Sequence, residues 1–207
     1  MENPQNQNNK PNKKAFVLIC LGNWGENYKY TRHNFGFLLA DHICQKLSER
    51  FISIQFGEYL HTNKLKEELY VFKGKTFMNL SGETAKKFLD LLMRKNPESK
   101  LETLICHDDL DIPFGRIKIY RNGGSGGHNG VKSIIENIGK ENIRIRLGIG
   151  EQKNVRKTDT VDYVLSKFSK NEMEKIPRIL EAAYQAVETI INESVEKAMS
   201  VFNSLII

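Results

Sequence analysis

The chain has 207 residues, 40% hydrophobic and 27% charged, the size and composition of one globular domain with a single core. No run of about 18 apolar residues is present, which excludes a membrane-spanning helix. The net charge is +6; residues 1–14 hold three lysines against one glutamate, so +4 remains beyond them, a balance compatible with an acidic partner such as RNA but not diagnostic of one.

Residues 1–14, MENPQNQNNKPNKK, have nothing to bury and are expected to be a disordered polar tail, with neither the apolar segment of a secretory signal nor the pattern of an organelle presequence. A single domain is expected over 15–207. AFVLICL (15–21) is a continuous apolar run ending at Gly22, the pattern of a strand buried on both faces. Phe35, Leu38, Leu39, Ile43 and Leu47 keep helical spacing. FISIQF (51–56) and ELYVFKGKTFMNL (68–80) read as strands, the latter broken by a turn at Lys73–Gly74. GETAKKFLDLLMRK (82–95) has the apolar stripe of a helix, and LETLICH (101–107) is a strand that releases the acidic run DDLD.

RIKIYR (116–121) and IRIRLGIG (143–150) alternate with period two, which places Arg116, Lys118, Arg144 and Arg146 on outward faces; the short helix VKSIIENIG lies between them. The C-terminal third is helical, with Ile176, Leu180, Ala183, Val187 and Ile190 on one stripe and Pro177 near a helix start or at a kink. Alternating strands and helices predict an α/β fold: one twisted mixed sheet with helices on both faces. Cys20, Cys44 and Cys106 sit in apolar runs without CxxC spacing, so they are expected to be buried and reduced, in a cytoplasmic compartment.

Three segments carry more polar residues than packing requires: GNWGENYKYTRHN (22–34), HDDLDIPFG (107–115) and NGGSGGHNG (122–130). Loops at the carboxyl ends of neighbouring strands converge on one crevice, which would bring His33, Asp108 and Asn129 together. Taken singly, each has a plainer reading: His33 as an inert histidine near a helix start, the aspartates as turn residues, the glycines as a tight connection. The glycine run is no phosphate loop, because Gly130 is followed by Val131 rather than Lys-Ser/Thr. His107, Asp108, Asp109 and Asp111 point in different directions along a strand end and lack a CxxC or HExxH partner, so no metal is expected. An imidazole oriented by a carboxylate can take a proton from water at neutral pH, and neutral asparagines can orient a carbonyl or stabilise an oxyanion. His33 with Asp108, beside Asn23, Asn79 and Asn129, fits hydrolysis by an activated water. Ser81 and Ser125 lack the G-x-S-x-G elbow of a serine nucleophile.

LGNWGENYKYTRHNFGF, TFMNLSGETAKKFL, HDDLDIPFGRIKI and NGGSGGHNGVKSII, in this order, closely resemble the bacterial-type peptidyl-tRNA hydrolases, and IRIRLGIG and VDYVLSKF match as well. The resemblance covers roughly Ala15 to Phe202. It implies a monomeric α/β enzyme that cleaves the ester between a peptide and the terminal ribose of tRNA, recycling tRNA from aborted translation with no metal, cofactor, membrane or obligate protein partner. The catalytic histidine falls on His33, its aspartate on Asp108, and the substrate-contacting asparagines on Asn23, Asn79 and Asn129. Tyr28, Met78 and His128 fall beside the substrate, and Lys118 and Arg146 on the residues that hold tRNA phosphate near the acceptor stem and 3′ end. Cys20, Trp24, Asn122 and Ser125 depart from the usual glycine, proline, glycine and histidine. The alternative is an RNA-binding protein on the same fold without hydrolysis, like related organelle splicing factors; a complete catalytic set argues against it. A hydrolase of small esters is a second rival, which competition by deacylated tRNA separates.

Overall fold

The computed structural model describes residues 14–150 and 160–207. The expected tail therefore lies outside the described residues except for Lys14, which opens the first strand and pairs with Glu102 at 2.7 Å.

In chain order the elements are β1 (Lys14–Cys20), α1 (Phe35–Lys46), β2 (Ile52–Ile54), β3 (Gly57–Thr62), β4 (Glu68–Gly74), α2 (Ser81–Lys95), β5 (Lys100–Pro113), β6 (Ile117–Arg121), α3 (Asn129–Ile138), β7 (Ile143–Gly150), α4 (Thr160–Leu165), α5 (Lys170–Asn192) and α6 (Val195–Phe202). They form one seven-stranded mixed sheet in the order β2-β3-β4-β1-β5-β7-β6. The central strands β4, β1, β5 and β7 run parallel, and β3 with β2 on one side and β6 on the other add antiparallel edges.

The apolar run of β1 is buried from Ala15 to Cys20 because it supplies two cores at once. Phe16, Leu18 and Cys20 pack beneath α1, α5 and α6, against Leu39, Ile43, Ala183 and Val187. Val17 and Ile19 face α2 and α3, where Phe72 stacks on Phe88 at 4.4 Å and Val131 and Ile134 complete the layer. At about 25 cal/mol per Å² of apolar surface, this two-sided burial is the main force that keeps the sheet closed. Ser169 caps α5 in a reciprocal box with Glu172, and Ser194 caps α6. Pro177 lies within α5, not at its start. Cys20 and Cys106 are buried, Cys44 is half-buried, and all three are free thiols.

Four local expectations need correction. Residues beyond Gly74 form no strand: Thr76 N–H turns back to the Gly74 carbonyl at 3.0 Å, and Met78–Leu80 is a 3-10 turn. The strand missing from the sequence reading is β3: Leu60 faces one core and Tyr59, 5.1 Å from the Phe88 ring, the other, so no apolar face marks it against a polar one. β5 does not stop at His107 but continues through the acidic run, because β7 goes on pairing with it: Asp108 with Leu147, Asp109 with Gly148, and, past a bulge, Pro113 with Gly150. Arg144 does not face out. It is fully buried, because β7 is an interior strand covered on both faces, and alternation there separates two buried layers, not core from solvent.

Candidate active site

Asn23, His33 and Met78 gather where β1 and β4 end, beside Asp108 within β5. α1 begins hard against the strand ends: a Cβ on Gly36 would fall 2.5 Å from the Leu21 carbonyl oxygen and 2.8 Å from that of Cys106, so only glycine allows this seat. The 3-10 turn Arg32–Asn34 immediately precedes it, which sets His33 beside Asp108, two residues beyond Cys106. Arg32 fastens the turn from behind, donating to Ser166 Oγ at 2.7 Å, the Lys167 carbonyl at 2.8 Å and Glu172 at 2.7 Å.

His33 Nδ1 lies 3.0 Å from both Oδ1 and Oδ2 of Asp108. A carboxylate only accepts, so Nδ1 carries the proton and Nε2 is left with its lone pair. His128 Nε2 donates to the same Oδ1 at 2.9 Å, while its Nδ1 accepts from the backbone N–H groups of Gly130 and Val131 and caps α3. Both nitrogens of His128 are thus engaged within the protein, one on Asp108 and the other on the first turn of α3. Burial alone would raise the Asp108 carboxyl, but the two imidazoles more than offset this and hold it well below the usual carboxylate range. His107, one residue before, is neutral: burial and the neighbouring His128 and Arg144 push its imidazole well below the ordinary value, and its Nδ1 donates to the Asp108 carbonyl at 2.7 Å.

The glycine loop reaches this point by an unexpected route. β6 runs antiparallel to β7, so its end, Arg121 opposite Ile143, lies at the far edge of the sheet from Asp108. Residues 122–128 carry the chain back over about four strand residues, roughly 13 Å, to deliver His128. Asn122 starts that return at φ 61°, a left-handed conformation that asparagine tolerates better than most residues. This accounts for asparagine standing where glycine is usual.

Asn23 is fixed on three sides. Its Oδ1 accepts from Met78 N–H at 2.8 Å, its N–H donates to Asn34 Oδ1 at 2.8 Å, and its carbonyl accepts from Asn34 Nδ2 at 2.9 Å. Only the Asn23 Nδ2 is left to point elsewhere. Asn34 is the residue that sequence reasoning missed; as a lone asparagine next to His33 it carried no signal of its own. Met78 is buried, and Gly130 makes room for it, since a Cβ there would sit 2.4 Å from the Met78 sulfur. Asn79 is exposed on the 3-10 turn Met78–Leu80 that leads into α2, and Asn129 is exposed at the start of α3. Tyr28 is half-buried, edge to face with Phe77 at 6.4 Å.

Lys118 and Arg146 do not join this cluster. They lie opposite each other on β6 and β7, level with His107, on the flank of the site. Each has a partner within the protein: Lys118 Nζ donates to the Asn203 carbonyl at 2.6 Å, and Arg146 pairs with Asp109 and lies over the Tyr120 ring at 5.4 Å. His33, Asp108 and His128 also offer ligand atoms within 4.8 Å of one another. A cation seated there would have to displace both N–H protons now donated to Asp108.

A family model described as Peptidyl-tRNA hydrolase matches residues 17–206. Among similar proteins, the peptidyl-tRNA hydrolase of Thermodesulfovibrio yellowstonii is 42% identical over 193 residues, covering 91% of this chain and 99% of that protein. That of Bdellovibrio bacteriovorus is 39% identical over 191 residues, covering 91% and 100%. The crystal structure of peptidyl-tRNA hydrolase from Acinetobacter baumannii superposes with a TM-score of 0.82 at 29% identity, over 94% of this chain and 96% of that one.

Proposed function

The chain belongs to the peptidyl-tRNA hydrolase family, enzymes that hydrolyse peptidyl-tRNA, and from that premise we infer which of its residues do the chemistry. The carrying observation is the His33 Nδ1 proton shared between both oxygens of Asp108 at 3.0 Å. It leaves Nε2 as the base. Nε2 takes a proton from a water that attacks the ester carbonyl, and the buried Asp108 charge stabilises the imidazolium that forms. The free Nδ2 of Asn23 and the amide of Asn129 stabilise the developing oxyanion or hold the water, and Asn79 and Tyr28 hold the peptide. The tetrahedral intermediate then expels the ribose oxygen, which recovers the proton from His33. An alkoxide from a ribose is a far better leaving group than an amine anion, so the set acts on an ester.

Lys118 and Arg146, on the β6–β7 flank, bind tRNA phosphates by exchanging their internal partners for phosphate oxygens. Residues 15–207 act as one monomeric catalytic domain in the cytoplasm. Among the described residues no helix is long and apolar enough to cross a membrane.

Hydrolysis in ¹⁸O-labelled water tests the direction of attack. Attack of water on the carbonyl places the label in the peptide carboxylate; label on the tRNA terminal ribose would overturn the mechanism.

A further inference from the structure

The turn that carries Asn23 has little backbone restraint of its own. Glycines bracket Asn23 and Trp24, with Gly22 before them and Gly25 after, the latter at φ 123°, where a side chain would be strained. Proline, usual at position 24, would fix φ there, and this chain has tryptophan instead. The turn is held by contacts with the segment that follows β4. Trp24 N–H donates to the Thr76 carbonyl at 2.9 Å, a bond that no proline could make. The indole lies edge-on to Phe37 at 6.5 Å, and the Lys75 ammonium sits 5.3 Å over its ring. Lys75 is itself tethered to β2, donating to Ser53 Oγ at 2.7 Å.

These contacts run in register with the one that orients the Asn23 side chain. Lys75 meets the Trp24 ring, Thr76 accepts its N–H, and Met78, two residues on, gives its own N–H to Asn23 Oδ1 at 2.8 Å. That last bond fixes which end of the amide is held and so leaves Nδ2 to face the substrate. Asn34 binds the backbone of residue 23 and not its side chain. A shift of the 75–78 segment away from the turn therefore acts first on the amide of Asn23. At 37% exposed, the indole adds little to the core, so its contacts bear on this local geometry more than on global stability.

We propose that Trp24, through its ring contact with Lys75, is a positioning residue for Asn23: it holds the 75–78 segment against the turn and so aims Nδ2 at the substrate. The proposal rests on the reading of Asn23 as a group at the ester. Single-turnover release of peptide from peptidyl-tRNA, followed over a range of enzyme concentrations, gives both the saturated rate and the half-saturating concentration. Trp24→Ala and, separately, Lys75→Met should each lower the saturated rate about fivefold and leave the half-saturating concentration unchanged. Trp24→Phe, which keeps an aromatic face for the ammonium, should restore most of the rate. In an Asn23→Ala background neither substitution should slow the reaction further, because the group they aim is gone. A packing role would instead lower the rate by the same factor in both backgrounds, and contact of the indole with the peptide would raise the half-saturating concentration. Either result, or wild-type rates in both single variants, would overturn the proposal. An Asn23→Ala rate equal to wild type would overturn the placement of Asn23 at the ester, and the role of Trp24 with it.

Discussion

Asp108 is buried between two imidazoles that keep it ionised, and its effect on stability has a definite sign. Its carboxyl is depressed in the folded protein relative to the unfolded chain. The stabilisation is therefore complete above the unfolded value, about 3.9, and is lost as pH falls through the lower folded value. Asp108→Asn removes this contribution. The melting temperature of the variant should lie well below wild type near neutrality, and the gap should narrow as pH drops below about 4. Thermal melts across that range check it; a constant gap would contradict the assignment. Residue-level reading of the sequence paired His33 with Asp108 because strand-end loops converge, and the geometry brings the two together. It misplaced Arg144 because alternation reports the two faces of a strand, not which face meets water, and β7 is covered on both. It also missed Asn34, whose hydrogen bonds to Asn23 link residues eleven apart and leave no pattern in composition or period.

Among the elements, α1 transmits geometry to the site most directly. Its first turn rests on the backbone of Leu21 and Cys106 with no room for a methyl group at Gly36. Gly36→Ala must push the helix off the strand ends and draw the His33 turn away from Asp108. A loss of about 1–3 kcal/mol in urea unfolding is expected, together with a fall in kcat larger than any change in KM. Normal kcat in a destabilised variant would show that α1 does not position His33. The elements legible in the sequence were those with one strong period: β1 as an unbroken apolar run, α2 and α5 as amphipathic stripes. β3 was hidden because a polar residue interrupts each of its faces, Glu58 beside Leu60 and His61 beside Tyr59. The extension of β5 was hidden because an acidic run resembles a loop until β7 is known to pair with it. The glycine loop looked like a carboxyl-end turn; only the antiparallel sense of β6 reveals that it must cross the sheet to deliver His128.

Over the whole molecule, Lys118 and Arg146 stand together on the β6–β7 flank of the site, across the sheet from β3 and β4. Phosphate contacts are salt-dependent because they release counterions. Lys118→Ala combined with Arg146→Ala should raise KM and flatten its dependence on salt while changing kcat little; an unchanged KM at several salt concentrations would remove these residues from tRNA binding. The fold class followed from the alternation of strands and helices, whereas the placement of Lys118 and Arg146 on one flank of the site did not, because it depends on strand order, which no local pattern encodes. In the proposed mechanism His33, oriented by Asp108, activates the attacking water. Single-turnover release of peptide from peptidyl-tRNA by saturating enzyme measures this step alone. His33→Ala should slow it by about 10²–10⁴-fold with substrate affinity nearly unchanged, and release at a near-wild-type rate would contradict the account.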